Sequence, residues 1–136
     1  MGRLLGSFFG LGLIPKAPGT WGTLGGVALA WALPNDMWLA VAAAVVFVVG
    51  LLLAPKGDPG WYVLDEVAAY MLVPLTLGRE WLVLGLAFVC FRIFDIAKPW
   101  PIRRVERVGG AWGIMLDDVL AAVYAHALLR CALWVL

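Results

Sequence analysis

The sequence predicts an all-α protein, a polytopic membrane bundle of about five helices, the first one short or re-entrant. The 136-residue chain is 64% hydrophobic and only 14% charged, with a mean hydropathy of +0.96. A soluble domain is typically about 45–50% apolar and about 25% charged. The apolar runs are long and show no alternation of period two, which favours helices over a β-barrel. A tightly packed soluble helical protein or an oligomer is the alternative.

The length predicts a single membrane-embedded domain, residues 1–136. A formal net charge of +1 leaves no basic surface for nucleic acid, so no nucleic-acid partner is expected. The bilayer itself is the expected surrounding, and the sequence leaves open whether the chain forms an oligomer.

The N-terminal half predicts a short segment followed by two helices. Residues 4–14 are apolar but short and rich in glycine, which indicates an interfacial or re-entrant segment. A Gly- and Pro-rich loop precedes a helix at about 22–33, which is too short for a bilayer unless it is tilted, starts earlier or is sheltered by its neighbours, because a span needs about 20 residues. The uncharged run 37–54 is long enough.

The C-terminal half predicts three more helices, each with acids near one end. The run 61–77 carries Asp65 and Glu66 near its start. The run 81–97 carries Arg92 and Asp95 near its end and is stopped by Pro99 and Pro101. The run 113–136 carries Asp117 and Asp118 near its start.

Folding these runs back and forth places most of the basic residues on one side, which the positive-inside rule makes cytoplasmic. Those residues are Arg3, Lys16, Lys56, Lys98, Arg103, Arg104 and Arg107. The tryptophans fall near both ends of the runs, as interfacial indoles do. The same topology brings the acids of three helices to the cytoplasmic side.

Those acids predict a metal site. Ionised carboxylates among apolar helices are costly unless they are paired or bind a cation, and oxygen ligands suit Mg²⁺. Neighbouring acids point about 100° apart on a helix, so one member of each pair is expected to face the site, with Asp65 and Asp118 preferred. The alternative is ion pairing with the nearby basic residues. The candidate metal ligands are Asp65, Glu66, Asp95, Asp117 and Asp118.

Basic residues beside the acids predict phosphate binding. Arg92 and Lys98 share nearly one helix face with Asp95, so they either balance its charge or meet a phosphate. The glycine-rich loop with Lys16 and Thr20 is a candidate anion cradle at a helix start. Arg103 and Arg104 either set topology or steer an anionic lipid headgroup.

Three blocks of the sequence resemble the phosphatidylglycerophosphatase A family. They are IPKAPGTWGTLGG (14–26), DPGWYVLDEV (58–67) and FRIFDIAKPWPIRRVERVGGAWGIMLDD (91–118). The blocks occur in the family's order and span nearly the whole chain. The resemblance implies a small multi-helical protein of the bacterial inner membrane that depends on Mg²⁺ and converts phosphatidylglycerophosphate to phosphatidylglycerol. The anionic phospholipid would be its partner and the cytoplasmic face its active side.

The resemblance also implies site residues, position by position. The family motifs match Lys16, Pro18, Gly19, Thr20, Asp58, Asp65, Glu66, Arg92, Asp95, Lys98, Pro99, Pro101, Glu106, Gly109, Gly110, Gly113, Asp117 and Asp118. The expected catalytic residues are Asp65, Asp95, Asp118 and Lys16. Substrate binding is expected from Thr20, Arg92, Lys98, Arg103 and Arg104.

The sequence leaves two questions open, the identity of the nucleophile and the choice between alternative functions. Either water or an aspartate could be the nucleophile. The alternative functions are a cation transporter or proton relay, which would place its acids at the membrane midplane, and an interaction protein whose charges only set topology.

Overall fold

The structure, a computed structural model, covers most of the chain. It describes residues 2–14, 16, 18–33, 35–54, 62–78, 80–107 and 110–135. The side chains of residues 2, 3, 18 and 106 are outside this description. The predicted roles of Asp58 and Gly109, and of the side chains of Pro18 and Glu106, therefore lie outside the described residues.

The prediction of an all-α fold is confirmed, since every regular element in the described ranges is helical. The elements are α1 (Gly2–Gly6), a 3-10 turn (Leu11–Leu13), α2 (Pro18–Ala32), α3 (Asp36–Leu53), α4 (Leu64–Leu72), α5 (Trp81–Ala97), α6 (Ile102–Glu106) and α7 (Gly110–Val135). The short first segment is present as α1 and the 3-10 turn.

Two helices, α2 and α4, differ clearly from the predicted bounds. Helix α2 begins at Pro18 rather than residue 22, because proline suits the first helical turn, where its missing N–H is not needed. Helix α4 ends at Leu72, two residues before Pro74, and has only nine residues. Nine residues extend about 14 Å, which is too short to cross a bilayer core of about 30 Å.

Helix α4 is the buried centre of the bundle. It packs against α2, α3 and α7, and α5 packs on the outside against α7. Seven of its nine residues are buried, from Leu64 to Met71 with Glu66 half-buried. The Tyr70 hydroxyl donates to the carbonyl of Leu84 at 2.8 Å, which ties α4 to α5. Because α2, α3 and α7 cover α4 on several sides, α4 is held in a fixed position relative to these three helices.

Glycines let α2 approach α4 closely. A Cβ built on Gly22 would lie 2.5 Å from the Cβ of Val63, and one on Gly26 would lie 3.1 Å from the ring of Tyr70. Contacts this short leave no room for a methyl group unless the helices move apart.

We therefore expect Gly22→Ala to destabilise the protein by about 1–3 kcal/mol through overpacking. Gly85→Ala is the matched control, because a Cβ on Gly85, in the middle of α5, meets no atom within 4 Å. That substitution should leave stability unchanged or raise it by about 0.5–1 kcal/mol. Thermal unfolding of the purified proteins measures both, and an unfolding temperature for Gly22→Ala equal to that of the wild type would contradict the packing account.

The helices alternate in direction, so the bundle has two distinct ends. At the distal end, the Thr76 N–H donates to Asp36 Oδ2 at 3.1 Å, and Arg130 of α7 donates to the Thr76 hydroxyl. His126 lies one turn earlier on α7, and its Nδ1 is 2.9 Å from the carbonyl of Val73. These contacts link the start of α3, the end of α4 and the last third of α7. The other end, called the acidic end, carries Asp65, Asp95 and Asp118.

Apolar side chains cover much of the outer surface. Helices α3 and α7 are each long and apolar enough to cross a membrane, judged by length and composition. All seven tryptophans in the described part of the chain are exposed. Of these, Trp21, Trp100 and Trp112 lie toward the acidic end and the other four toward the distal end. This distribution is consistent with association of the bundle with a membrane.

Candidate active site

The first turn of α4, the last turn of α5 and the third turn of α7 meet at the acidic end. They carry Asp65 and Glu66, Asp95, and Asp117 and Asp118 respectively. The four aspartates are at most 8% exposed, and Asp118 is 2% exposed. Residues 53 positions apart in sequence thus form one buried cluster of carboxylates, called here the carboxylate cluster.

The cluster contains two sets of three carboxylates. Asp65, Asp117 and Asp118 form one set, and in it one oxygen from each residue lies within 4.8 Å of the others. Glu66, Asp95 and Asp118 form the second set by the same measure. Asp118 is common to both sets and therefore occupies the centre of the cluster.

Arg92 and Lys98 pair with the outer edge of the cluster. Arg92 NH1 lies 2.6 Å from Asp95 Oδ2 and 3.8 Å from Glu66 Oε1. Lys98 Nζ lies 2.9 Å from Asp117 Oδ2 and 3.5 Å from Asp95 Oδ1. The geometry is therefore compatible with both roles expected of these cations, which are to balance the charge of Asp95 or to meet a phosphate.

Lys98 reaches Asp117 because it ends α5 in a left-handed conformation, with φ of 46°. Burial lowers the pKa of its ammonium group, but the hydrogen bond to Asp117 and the charges of Asp118, Asp117 and Asp95 outweigh burial and raise the pKa above its ordinary value. Lys98 is therefore fully charged at neutral pH.

Two carboxylate oxygens in the cluster are suited to bind a cation. Asp117 Oδ1 and Asp118 Oδ2 are buried and have no hydrogen-bond partner among the described residues. A buried carboxylate oxygen without a donor is costly, and a hard divalent cation with oxygen ligands removes that cost. The residues present therefore fit Mg²⁺.

The start of α2 lies against the cluster. A Cβ on Gly19 would be 2.8 Å from Glu66 Oε1 and 3.2 Å from Arg92 NH1, so the Gly19 backbone contacts both side chains. Thr20 follows in the first turn and is half-buried, while Lys16 is exposed just before the helix. The predicted anion cradle therefore lies beside the carboxylates, with backbone N–H groups of the α2 start nearby.

We expect Gly19→Ala to lower kcat/KM for release of phosphate from the expected lipid substrate by about tenfold or more. The added methyl group would displace the flexible Glu66 carboxylate and the Arg92 side chain from their positions. The unfolding temperature should change little, because the displaced atoms are the ends of long side chains. Gly85→Ala again serves as the control. A Gly19→Ala variant with wild-type kinetics would show that this close contact has no catalytic role.

Arg103 and Arg104 lie outside the cluster. They are exposed on α6 and, with Trp100 and Arg107, line an open cavity of about 320 Å³. Their predicted role, steering a lipid headgroup, would therefore be performed at the surface of α6 and not inside the cluster.

The sequence predicted that one member of each acidic pair would face the site, and the structure differs in this respect. It also adds a contact among Tyr62, Gly50 and Met115. Both members of each acidic pair belong to the cluster, because it fills a crevice between helices instead of facing one side. The sequence analysis also missed a supporting contact, in which the Tyr62 hydroxyl donates to the carbonyl of Gly50 and lies 3.4 Å from Met115 Sδ. A glycine in the uncharged run 37–54 was the available signal for this close approach.

Comparisons with known proteins identify relatives of this chain. The model of the family described as phosphatidylglycerophosphatase A matches residues 4–133. A Haemophilus influenzae protein named phosphatidylglycerophosphatase A is 40% identical over 135 residues, covering 90% of this chain and 83% of the relative. The Escherichia coli K12 protein of the same name is 34% identical over 138 residues, covering 93% and 80%.

A third relative carries another name. A Bacteroides thetaiotaomicron protein named as a candidate phosphatidylinositol-3-phosphatase is 38% identical over 150 residues, covering 98% of this chain and 94% of the relative. No solved structure matches the chain.

The helical bundle, the carboxylate cluster and these relatives together define the class of protein, an all-α phosphatase. Within that class, the chain belongs to the phosphatidylglycerophosphatase A family.

Proposed function

We propose that this enzyme hydrolyses the terminal phosphate of phosphatidylglycerophosphate in a reaction that requires Mg²⁺, and so supplies phosphatidylglycerol for phospholipid biosynthesis. The observation that carries this proposal is the carboxylate cluster, to which two of the three blocks of family resemblance contribute acids and beside which the third block lies at Gly19. Two relatives bear the name of this activity.

The acids of the cluster would hold Mg²⁺, which, when bound, neutralises the negative charge that develops on phosphate oxygens. Arg92 contacts Asp95 and Glu66 through NH1, and its NH2 group would bind a phosphate oxygen. Lys98 supplies a second positive charge at the same edge. Gly19 and Thr20 add backbone donors at the start of α2.

Water is the proposed nucleophile. Every described acid at this end of the bundle belongs to one of the two ligand sets, so none is left over as a dedicated nucleophile. A carboxylate oxygen of the cluster would take a proton from the attacking water as the water oxygen bonds to phosphorus. The bond between phosphorus and the lipid oxygen breaks, and that oxygen takes the proton back from the carboxyl group and leaves as the lipid alcohol.

The setting we propose is a multi-pass position in the bacterial inner membrane, with the acidic end facing the cytoplasm. The apolar exterior, the two long apolar helices and the basic residues near the acidic end support it. The acyl chains would then stay in the bilayer while the headgroup reaches the crevice. Clustering of the acids at one end, rather than midway along the helices, speaks against a cation transporter or proton relay.

The decisive experiment is phosphate release from phosphatidylglycerophosphate in detergent micelles by the purified protein. We expect activity with Mg²⁺, a fall of at least about 100-fold after chelation, and recovery when Mg²⁺ is restored. Activity that survives chelation would contradict the metal requirement.

The second candidate substrate is phosphatidylinositol 3-phosphate, which the name of the Bacteroides relative favours. Both lipids are phosphate monoesters, so the same crevice chemistry serves either. Running the two substrates at equal surface concentration assigns the preference by kcat/KM. Faster release from the inositol lipid would replace the proposed substrate and keep the proposed chemistry.

A further inference from the structure

We infer that the carboxylate cluster binds two divalent cations, with Asp118 as the ligand that the two ions share. This inference deepens the proposed function and rests on it for the identity of the ion. It concerns the number of ions and the separate roles of the acids, which the family resemblance leaves open.

The two ligand sets are the first observation that supports binding of two ions. Asp65 and Asp117 approach Asp118 in one set, and Glu66 and Asp95 approach it in the other. Each set is a group of three mutually close oxygens, and among the described residues Asp118 alone belongs to both. A carboxylate has two oxygens with several lone pairs, so one side chain can serve two ions at once.

The burial of Asp118 is the second observation. It is the most deeply buried acid of the cluster, 2% exposed, and its Oδ2 has no hydrogen-bond partner among the described residues. Lys98 satisfies Asp117 Oδ2, yet Asp117 Oδ1 likewise lacks a described partner. The basic side chains thus occupy the outer oxygens, while oxygens of the α7 pair remain for cations inside.

The charge of the crevice is the third observation. With all five carboxylates ionised, as ligands of a cation are, Arg92 and Lys98 leave three negative charges in the crevice. A phosphate monoester adds between one and two more at neutral pH. A single divalent ion leaves a strong excess of negative charge around the anionic substrate, whereas two ions bring the loaded crevice close to neutrality. Binding of an anion beside five acids therefore favours the two-ion state.

The test counts Mn²⁺ ions bound to the chelator-stripped, purified protein, because Mn²⁺ takes oxygen ligands like Mg²⁺ and is visible by electron paramagnetic resonance. We expect two Mn²⁺ per chain by calorimetric titration and a spectrum of two magnetically coupled ions. Asp65→Asn and Glu66→Gln should each retain one ion with the spectrum of an isolated Mn²⁺. Asp118→Asn should weaken both sites at least tenfold.

Glu80→Gln is the matched control, since Glu80 is exposed at the start of α5 and far from the cluster, and it should bind two ions. One Mn²⁺ per wild-type chain, two uncoupled ions, or loss of only one ion in Asp118→Asn would overturn the inference. Circular dichroism checks that each variant is folded, and the two single-set variants give independent answers if Asp118→Asn is not. Activity with a single bound ion would refute the shared ligand and leave the proposed function intact. Two coupled ions without lipid phosphatase activity would support the shared ligand and refute the proposed function.

Discussion

Asp118→Asn should lower kcat for phosphate release by about 10³-fold or more, the largest effect of any single substitution in the chain. Asparagine keeps the shape of the side chain but removes the charge from the acid at the centre of both ligand sets. Loss of one preorganised electrostatic contact costs about 10²–10³ in kcat, and Asp118 belongs to two sets of contacts. Initial rates with saturating Mg²⁺ measure the loss.

The same variant should be more stable than the wild type when both are metal-free. Removing one of five crowded carboxylates relieves repulsion in a buried crevice, so the unfolding temperature should rise. Glu80→Gln, which makes the same chemical change at an exposed position, should alter neither activity nor stability. Activity of Asp118→Asn within a few-fold of the wild type would remove Asp118 from the active site.

Arg92→Met should lower kcat/KM by about 10²–10³-fold, the second largest effect. Truncating one member of a buried charge pair costs about 2–5 kcal/mol, and here it also removes the proposed phosphate contact. Arg92→Lys should recover part of the activity, since lysine keeps the charge but lacks the planar fork. Steady-state kinetics on the three proteins measure the series.

Exposed arginines provide the comparison. Arg103→Met and Arg104→Met should lower kcat/KM by less than about tenfold, and the loss should shrink at high salt, because screening already weakens attraction at an exposed surface. Equal losses at Arg92 and Arg103 would contradict the separation between the buried cluster and the α6 surface.

Periodicity and composition were enough to predict the all-α fold, because α3, α5 and α7 are long, mostly apolar runs without period-two alternation, and a proline follows each of the first two. They failed for α4, where the apolar run continues to residue 77 although the helix ends at Leu72. Proline at 74 was the visible signal, but hydropathy cannot distinguish a buried central helix from a membrane span.

The sequence was enough to predict which acids come together at the candidate site, but not how they are arranged there. The acids were recognisable because charge is rare in so apolar a chain, and alternating helix directions predicted that they would meet. The sequence could not show that both Asp117 and Asp118 enter the crevice, since that depends on how α4 and α5 flank α7. Close contacts such as Gly19 with Glu66 depend on interhelical distances, which no single segment encodes.

The crowding of like charges in one crevice also has a consequence for the lifetime of the protein in the cell. A ligand that binds only the folded chain stabilises it by about 2.7 kcal/mol at a concentration one hundred times its dissociation constant. With Mg²⁺ as the proposed ligand, chains made under magnesium starvation would therefore unfold more often and be degraded sooner by proteases. Abundance of the enzyme, and not only its turnover, would then follow the supply of the ion.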